Sequence, residues 1–361
     1  MNRKIPIKLY AIQIEVSTIC TSKCFMCPHT TFYNTWESKL MDMQLYSKIS
    51  NYFDNAEYIH LQGWGEPLHH PKIIEMMKIA KEHNRRVGLT TNGQLINKYA
   101  PDLANLLDVI VISIGGATKH IHELARTGNN FETLISNTKL LIENRGNKKN
   151  PKIIFSYLMN KYNIDELPKA IELAAKIGVD EFLATNLDYI PIKELNDAKT
   201  FSHTEKENAH IEKIMKESIK KAQTNNITLI IKPRIMNELP ICLENPLENL
   251  FITVDGLVAP CVYVHLPTKS ENIPRIFKDK EYTIKKLYFG SLQSETLDKI
   301  WQSEKYIKFR EIFEKRKQTY EKAYKDSLTN PEHSFEQKLR IIFKDIPPPK
   351  ECLTCYKIYG I

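Results

Sequence analysis

The stretch "CTSKCFMCPH", residues 20–29, places three cysteines within eight residues. It follows "AIQIEVST", residues 11–18, in which apolar and polar side chains alternate as they do in a half-buried β-strand. Parallel α/β sheets place their active sites at the carboxyl ends of the strands. We therefore expect the loop that carries Cys20, Cys24 and Cys27 to hold the catalytic chemistry of this protein.

Closely spaced thiols in a chain without a signal peptide are typical of a metal centre rather than of disulfides. Iron–sulfur clusters are usually held by four thiolates, so three local cysteines leave one iron with an open coordination position. A zinc ion bound by the same three cysteines and His29 is also chemically sensible. The cysteines alone leave both alternatives open.

The order of strand-like and helix-like stretches after this loop predicts the fold class. Five further strand-like stretches alternate with amphipathic helices along the chain. They are residues 56–67, 86–93, 108–116, 152–159 and 180–190. Six strands that alternate with helices predict βα units and a parallel sheet, and right-handed connections curl such units into an open barrel. We therefore expect an α/β fold, with a partial (β/α)6 TIM-like barrel over residues 1–195.

The pattern changes after residue 195. Residues 196–240 predict a connecting helix and strand, and residues 241–361 predict a small α+β domain. The dipeptide Asp255–Gly256 is a strong short-range signal for a hairpin turn. This last domain carries the other four cysteines, which are Cys242, Cys261, Cys352 and Cys355.

The composition limits the classes of protein that fit. The chain of 361 residues is 42% hydrophobic and 26% charged, which predicts a folded core rather than disorder. Its net charge of +8 suits an anionic ligand. The basic residues are scattered, without an aromatic and basic stacking surface, so a zinc nucleic-acid-binding protein is only a distant alternative. Because neither a signal peptide nor a membrane span is evident, we expect a cytoplasmic protein without a membrane partner.

Short motifs follow the successive strands. "GWGEP", residues 63–67, follows the second strand, and "TTNG", residues 90–93, ends the third. Ser113 ends the fourth strand, and "ARTGNN" contains Arg126. Together with the three cysteines, these motifs resemble the radical S-adenosylmethionine (SAM) superfamily over about residues 8–190. Gly115 departs from the family, which often has an aspartate at this position.

The resemblance implies that Cys20, Cys24 and Cys27 hold a [4Fe–4S] cluster whose open iron binds SAM. It also implies that Gly65 and Glu66 bind the SAM amino group and that Arg126 contacts the SAM carboxylate. The full set of implied cofactor-binding residues is Met26, Gly65, Glu66, Asn92, Ser113 and Arg126.

The four C-terminal cysteines resemble those of the twitch or SPASM domains that follow many radical SAM barrels. Cys261 ends a hairpin with a glycine five residues before it, and Cys352 and Cys355 form a C-x-x-C pair. The resemblance implies that Cys242, Cys261, Cys352 and Cys355 ligate an auxiliary [4Fe–4S] cluster. Since the chain has seven cysteines, three plus four allow one auxiliary cluster, which favours the shorter twitch form.

A radical SAM oxidoreductase is the function that the resemblance implies. Such an enzyme reductively cleaves SAM to a 5′-deoxyadenosyl radical, which removes a hydrogen atom from the substrate. We expect the auxiliary cluster to accept an electron from the substrate radical. We expect an external donor, such as flavodoxin or ferredoxin, to supply the electron that cleaves SAM.

By strand alternation we expect four polar side chains to point into the barrel lumen, where they contact substrate or SAM. They are Gln13, Glu15, His60 and Gln62.

The substrate class has two interpretations. Peptide-modifying relatives often carry an N-terminal leader-recognition domain, and the cysteine loop begins here at residue 20. This favours oxidation of a small polar metabolite of the sugar or aminocyclitol type. The alternative is a peptide maturase that forms crosslinks or epimerises residues with a separate leader-recognition protein.

Overall fold

The fold is built on one ten-stranded sheet with helices in its connections. This computed structural model describes residues 7–202, 208–329, 339 and 343–361. The strands in these residues are β1 (Leu9–Ile14), β2 (Lys23–Cys24), β3 (Ala56–Leu61), β4 (Arg86–Thr91), β5 (Val109–Ile114), β6 (Arg126–Thr127), β7 (Lys152–Met159), β8 (Glu181–Asn186), β9 (Thr228–Ile231), β10 (Asn249–Ile252), β11 (Leu257–Ala259), β12 (Asn272–Phe277), β13 (Lys280–Lys285) and β14 (Gly290–Ser291). The helices are α1 (Pro28–Thr31), α2 (Met43–Ser50), α3 (Ile73–Glu82), α4 (Ile96–Leu106), α5 (Lys119–Ala125), α6 (Phe131–Arg145), α7 (Leu167–Ile177), α8 (Ala209–Thr224), α9 (Leu297–Trp301) and α10 (Glu304–Thr329).

Six strands form the repeat that the sequence predicted. β1, β3, β4, β5, β7 and β8 lie side by side in chain order, and each neighbouring pair is parallel. At least one helix lies in every connection between them. The sheet remains open, with β14 at one edge and β9 at the other. The predicted α/β fold with an open, partial barrel is therefore confirmed.

Capping side chains fix where several helices begin. The carboxylate of Asp42 accepts hydrogen bonds from the main-chain N–H groups of Gln44 and Leu45 at 2.8 and 3.3 Å, immediately before α2. Asn130 accepts a hydrogen bond from the N–H of Thr133 at 2.8 Å before α6. These contacts satisfy main-chain donors that have no partner inside the helix. Local sequence therefore sets the length of each connection and hence where the next strand starts.

The C-terminal segment joins the same sheet. β10 runs parallel to β1, with Leu250 opposite Ile12, and β11 returns antiparallel to β10. The turn between them has Gly256 at φ +81°, which confirms the hairpin predicted at Asp255–Gly256. The division into residues 1–195, 196–240 and 241–361 stays a proposal, because one hydrogen-bonded sheet takes strands from all three segments.

The central strands supply most of a single large core. Ile12, Ile59, Leu89, Ile112 and Phe155 come from five neighbouring strands, and each is fully buried in the same cluster. Strands buried on both faces are expected where helices cover a parallel sheet. No helix in the described ranges is both long enough and apolar enough to cross a bilayer.

The pairing of β1 with β10 predicts that side chains of β10 contribute to the stability of the core. Leu250 is 1% exposed, so we expect Leu250→Ala to lower the free energy of unfolding by about 2–5 kcal/mol through lost burial and a residual cavity. Leu124 in α5 is 50% exposed, and Leu124→Ala should change it by no more than about 0.5 kcal/mol. Urea denaturation measures both; equal effects would contradict the placement of β10 in the core.

Candidate active site

A cavity of about 250 Å³ lies at the carboxyl ends of the barrel strands. Its wall contains the three N-terminal cysteines, every residue predicted to bind SAM, and one of the predicted lumen residues. These are Cys20, Cys24, Cys27, Met26, Gly65, Glu66, Asn92, Ser113, Arg126 and Gln62. Residues that lie more than one hundred positions apart in the chain therefore meet in one place.

The cysteine loop is held in shape by main-chain contacts. The N–H of Cys27 donates to the carbonyl of Cys24 at 3.1 Å, and α1 begins directly after Cys27. In a short antiparallel ladder, β2 pairs with β6, which sets Cys24 opposite Arg126. The loop is thereby anchored both to its own helix and to the segment that follows α5.

Burial favours the neutral form of two thiols in this loop, those of Cys20 and Cys27. Desolvation raises the pKa of Cys20 to about 11 and that of Cys27 to about 12, and the nearby Cys24 adds to both shifts. Metal ligation requires thiolates, so a positively charged centre has to replace these protons. The donor set therefore fits a metal centre that supplies strong positive charge.

Glu66 joins two of the predicted motifs. Its carboxylate accepts hydrogen bonds from the Thr91 hydroxyl at 2.8 Å, from the main-chain N–H of Asn92 at 2.7 Å and from that of Leu68 at 3.1 Å. Burial raises the pKa of Glu66 to about 7. These contacts tie the Gly-Glu-Pro loop to the end of β4, and the contact with the SAM amino group stays a prediction.

Gly65 is required by a close main-chain approach. A Cβ atom at this position would lie 2.4 Å from the carbonyl oxygen of Ser17, well inside van der Waals contact. Only glycine allows the loop after β3 to pack directly on the loop after β1. The glycine in this motif therefore brings its main chain beside the cysteine loop.

Arg126 has a donor that no described residue uses. Its Nη1 lies 3.9 Å from the sulfur of Cys24, and its buried Nε has no hydrogen-bond partner among the residues that the structure describes. Buried donors are normally paired, so a missing acceptor indicates a ligand. A carboxylate is a suitable acceptor for a guanidinium group. Together with the three thiols, Arg126 fits a [4Fe–4S] cluster with SAM bound to it.

The departure at Gly115 has a packing explanation. A Cβ atom there would lie 3.1 Å from the Cβ of Ala125, and the main-chain N–H of Gly115 donates to His122 Nδ1 at 3.1 Å. A larger residue at this position would push α5 away from β5. The glycine therefore lets α5 sit close to β5, at the cost of the carboxylate that relatives often have there.

The position of His29 gives no support to the zinc alternative. His29 packs edge-on against Trp36, with ring centroids 5.1 Å apart. It does not belong to the wall of the cavity that contains the cysteines.

The four C-terminal cysteines come together in a second place. Cys261 follows β11, while the N–H of Cys355 donates to the carbonyl of Cys352 at 3.1 Å. Burial raises the pKa of Cys352, and so does its proximity to Cys242, Cys355 and Cys261. Burial likewise raises the pKa of Cys242 to about 12. The structure therefore gathers the four residues that the sequence predicted as ligands of an auxiliary cluster.

Side chains of the cavity wall contact the segments that carry the C-terminal cysteines. Trp64, in the cavity wall, donates its indole N–H to the carbonyl oxygens of Val262 and His265 at 3.2 and 3.1 Å. On the same wall, Asp188 accepts a hydrogen bond from Tyr263 at 2.9 Å and forms an ion pair with Lys357. We name Trp64, Asp188, Tyr189, Tyr263 and Lys357 the partition.

The residues predicted to face the lumen lie in three different places. Gln62 lines the active-site cavity, whereas Gln13 and His60 line a second cavity of about 170 Å³ together with Tyr58 and Glu244. His60 bridges Tyr58 and Gln62 through hydrogen bonds of 2.8 and 2.7 Å, and burial lowers its pKa to about 4. A role for Gln13, His60 or Gln62 in substrate binding stays a prediction.

Glu15 is placed in neither cavity. It is fully buried, and its carboxylate accepts hydrogen bonds from the main-chain N–H groups of Trp64 at 2.9 Å and Val254 at 3.4 Å. Desolvation raises its pKa to about 7. Glu15 therefore braces the loop after β3 against the end of β10, and this placement gives no support to a substrate contact.

The partition was not anticipated from the sequence. Asp188 comes two residues after the end of β8, so the rule that favours polar residues after barrel strands applies to it as well. Lys357 comes two residues after Cys355 and has no comparable signal. Its importance follows only from the partner that the fold gives it.

Comparisons with known proteins agree with the two cysteine groups. Residues 14–174 match the family model described as "Radical SAM superfamily". Residues 242–326 match the SPASM model, described as "Iron-sulfur cluster-binding domain".

Two curated relatives cover most of the chain. A tungsten-containing aldehyde ferredoxin oxidoreductase cofactor-modifying protein from Pyrococcus furiosus is 27% identical over 319 residues, which is 83% of this chain and 83% of the relative. A probable GTP 3′,8-cyclase from Methanococcus maripaludis is 24% identical over 270 residues, which is 71% of this chain and 85% of the relative.

Solved structures share the fold at low identity. Streptococcus suis SuiB bound to S-adenosylmethionine has a TM-score of 0.62 at 15% identity, over 84% of this chain and 68% of that protein. Native anSMEcpe with bound AdoMet and a Cp18Cys peptide has a TM-score of 0.57 at 18% identity, over 84% of this chain and 83% of that protein. At these identities the likeness concerns the fold alone.

Iron content tests the assignment of the cysteines. After anaerobic reconstitution we expect about eight irons per chain, because two separate groups of thiols each bind a four-iron cluster. Colorimetric iron and sulfide analysis measures this value. About four irons, with the C-terminal thiols still open to alkylation, would contradict the second cluster.

Arg126 offers a second test. We expect Arg126→Ala to weaken SAM binding by about 1.5–3 kcal/mol, the scale of a charge-assisted hydrogen bond. Calorimetric titration of the reconstituted protein with SAM measures the change. Arg86→Ala is the control, since Arg86 is exposed at the start of β4, away from the carboxyl ends of the strands. Equal affinities in the wild type and the Arg126 variant would remove the carboxylate contact.

Proposed function

We propose that this chain, a radical SAM enzyme with a C-terminal SPASM domain, oxidises a small polar metabolite of the sugar or aminocyclitol type. Its cofactors are SAM and two [4Fe–4S] clusters. The proposal assigns Cys20, Cys24 and Cys27 to the SAM-binding cluster. It assigns Cys242, Cys261, Cys352 and Cys355 to an auxiliary cluster that accepts an electron during the reaction.

The partition is the observation that carries this proposal. Trp64 and Asp188 each line the active-site cavity and also contact the segments that bear Cys261 or Cys355. Tyr189 lies in the cavity wall too, and its hydroxyl donates to the carbonyl of Pro274 in β12 at 2.7 Å. The wall of the cavity is therefore in direct contact with the segments that carry the C-terminal cysteines. This contact supports electron transfer from the substrate to the auxiliary cluster.

When bound, the cofactors supply a 5′-deoxyadenosyl radical that removes a hydrogen atom from the substrate. The chain contributes position and exclusion of water. Arg126 holds the carboxylate end of SAM, and Gly65 brings the main chain of its loop against the cysteine loop. Part of the cavity wall is apolar and consists of Met26, Leu158 and Leu187.

Asp188 gives the cavity a hydrogen-bond acceptor suited to a hydroxylated substrate. Its side chain is 17% exposed, and it lies in the cavity wall. Oδ2 is engaged by Tyr263 and Lys357, which fix the orientation of the carboxylate. The carboxylate can accept a hydrogen bond from a substrate hydroxyl or ammonium group. In the proposed alcohol oxidation, Asp188 would take the hydroxyl proton while the second electron passes from the substrate radical to the auxiliary cluster.

The functions of the two curated relatives support a small-molecule substrate. One relative is a cofactor-modifying protein and the other a probable GTP 3′,8-cyclase, and both align with most of this chain. The alternative, a peptide maturase with a separate recognition protein, has one specific observation in its favour. Structures that share this fold were solved with peptides bound.

The proposal also includes an external one-electron donor, such as flavodoxin or ferredoxin. It places the reaction in a reducing cytoplasm.

Substrate-dependent release of 5′-deoxyadenosine tests the function. With SAM and dithionite under anaerobic conditions, we expect a dialysable metabolite fraction from the host cell to stimulate release and to yield a product that has lost two hydrogen atoms. Liquid chromatography with mass spectrometry measures both. Stimulation only by the peptide fraction would contradict the metabolite proposal and favour the maturase.

Cys24→Ala is the matched control for that assay. The variant should release no 5′-deoxyadenosine, because the SAM-binding cluster loses one ligand, yet keep about four irons in the C-terminal group. Persistent release of 5′-deoxyadenosine from the variant would show that Cys24 is not part of the SAM-binding site.

A further inference from the structure

Arg275 is a buried cation in β12 without a carboxylate partner. The residue is 3% exposed. Its Nη1 donates to the main-chain carbonyl of Glu351 at 3.3 Å, and its Nη2 donates to that of Tyr263 at 2.9 Å. The buried Nε has no hydrogen-bond partner, and no ion pair to Arg275 occurs, in the part of the chain that the structure describes. A full positive charge is therefore enclosed with only carbonyl dipoles to stabilise it.

Other deeply buried cations in this structure have anions beside them. Arg316 is fully buried and pairs with Glu238 at 2.8 Å, while Lys357 pairs with Asp188. An isolated charge in a protein interior is strongly unfavourable unless an opposite charge or a metal site compensates it. The contrast with Arg316 and Lys357 indicates that the anion belonging to Arg275 is a bound group.

The carbonyls that hold Arg275 identify where this anion binds. Tyr263 comes two residues after Cys261, and Glu351 directly precedes Cys352. The guanidinium group therefore bridges the two segments that bring three of the four C-terminal cysteines together. Two main-chain contacts therefore fix this positive charge beside the segments that carry the cysteines.

The charged residues near these thiols differ in whether an ion pair compensates their charge. Lys357 also lies near Cys355, but its charge is compensated by Asp188. A four-thiolate iron–sulfur cluster carries net negative charge, and reduction adds one more negative charge. A cation fixed in a low-dielectric site favours the more negative, reduced state.

We propose that Arg275 is the counter-charge of the auxiliary cluster and raises its reduction potential, so that the cluster accepts an electron more readily. This inference rests on the proposed function only in that the four C-terminal cysteines hold a cluster. The one-electron step is balanced by the reductant used to titrate the cluster. Arg275 acts as a positioning and electrostatic residue and does not touch the substrate.

The reduction potential of the auxiliary cluster is the measurement that tests this role. The reconstituted full chain is titrated with dithionite and followed by electron paramagnetic resonance, and the Cys24→Ala variant identifies the signal of the C-terminal cluster. Arg275→Gln removes the charge and keeps an amide donor. We expect it to weaken electron uptake by the cluster at least tenfold, which for a one-electron couple is a shift of about 59 mV to more negative potential. Arg275→Lys keeps the charge and should shift the potential by less.

Two controls separate local charge from net charge. Lys285 is exposed on β13, the strand paired with β12, so Lys285→Gln removes one positive charge from the same hairpin without touching the cysteines. It should leave the potential unchanged. The potential of the N-terminal cluster should also stay unchanged in Arg275→Gln.

Each outcome bears on the inference. A wild-type potential in Arg275→Gln would overturn it, as would loss of the cluster from both Arg275→Gln and Arg275→Lys, which would assign Arg275 to holding the two carbonyls. Loss of the cluster from the Gln variant alone would support the counter-charge. If the wild type itself holds only about four irons, the auxiliary cluster of the proposed function is wrong, a result that does not depend on any Arg275 variant.

Discussion

The parallel pairing of β1 with β10 is the constraint on which the rest of the structure depends. Four residues of each strand are in register, from Ala11 opposite Asn249 to Ile14 opposite Ile252. Because parallel neighbours end at the same edge of a sheet, the chain leaves both strands on the same side. The loop after β1 carries the first three cysteines, and the hairpin after β10 leads to Cys261. One ladder of main-chain hydrogen bonds thus brings the loop with the first three cysteines and the hairpin that leads to Cys261 to the same edge of the sheet.

The N-terminal and the C-terminal cysteine groups are both buried, and burial has the same effect on their thiols. Desolvation raises the pKa of the thiols at Cys20 and Cys27 in one group and at Cys242 and Cys352 in the other. Each group also has one arginine whose buried Nε lacks a partner in the described residues, namely Arg126 or Arg275. In both arrangements a guanidinium donor remains for an anionic group, and burial disfavours free thiolates at these four cysteines. Arg126 suits the carboxylate of SAM, whereas Arg275 suits the cluster itself.

The partition explains how the two groups can act in one reaction. Its polar contacts cross from the barrel to the C-terminal segment, and each of Trp64, Asp188 and Tyr189 faces the cavity on one side. Such contacts hold the wall rigid, because a displaced Asp188 would leave Lys357 buried without an anion. These contacts hold the cavity wall against the segments that carry the C-terminal cysteines.

The sequence by itself determined the alternation of strands and helices, the three-cysteine loop and the motifs at the strand ends. These features are local, since the period of side chains and the identity of loop residues depend on only a few neighbours. Burial of the predicted SAM contacts in one cavity follows from them, because parallel strands end at a common edge. The tertiary structure alone decided that Glu15 braces a loop, that His60 lies in a second cavity, and that Asp188, Arg275 and Lys357 contact segments that carry the C-terminal cysteines. Those roles depend on partners far apart in the chain, and the energy of a buried charge is set by what the fold places beside it.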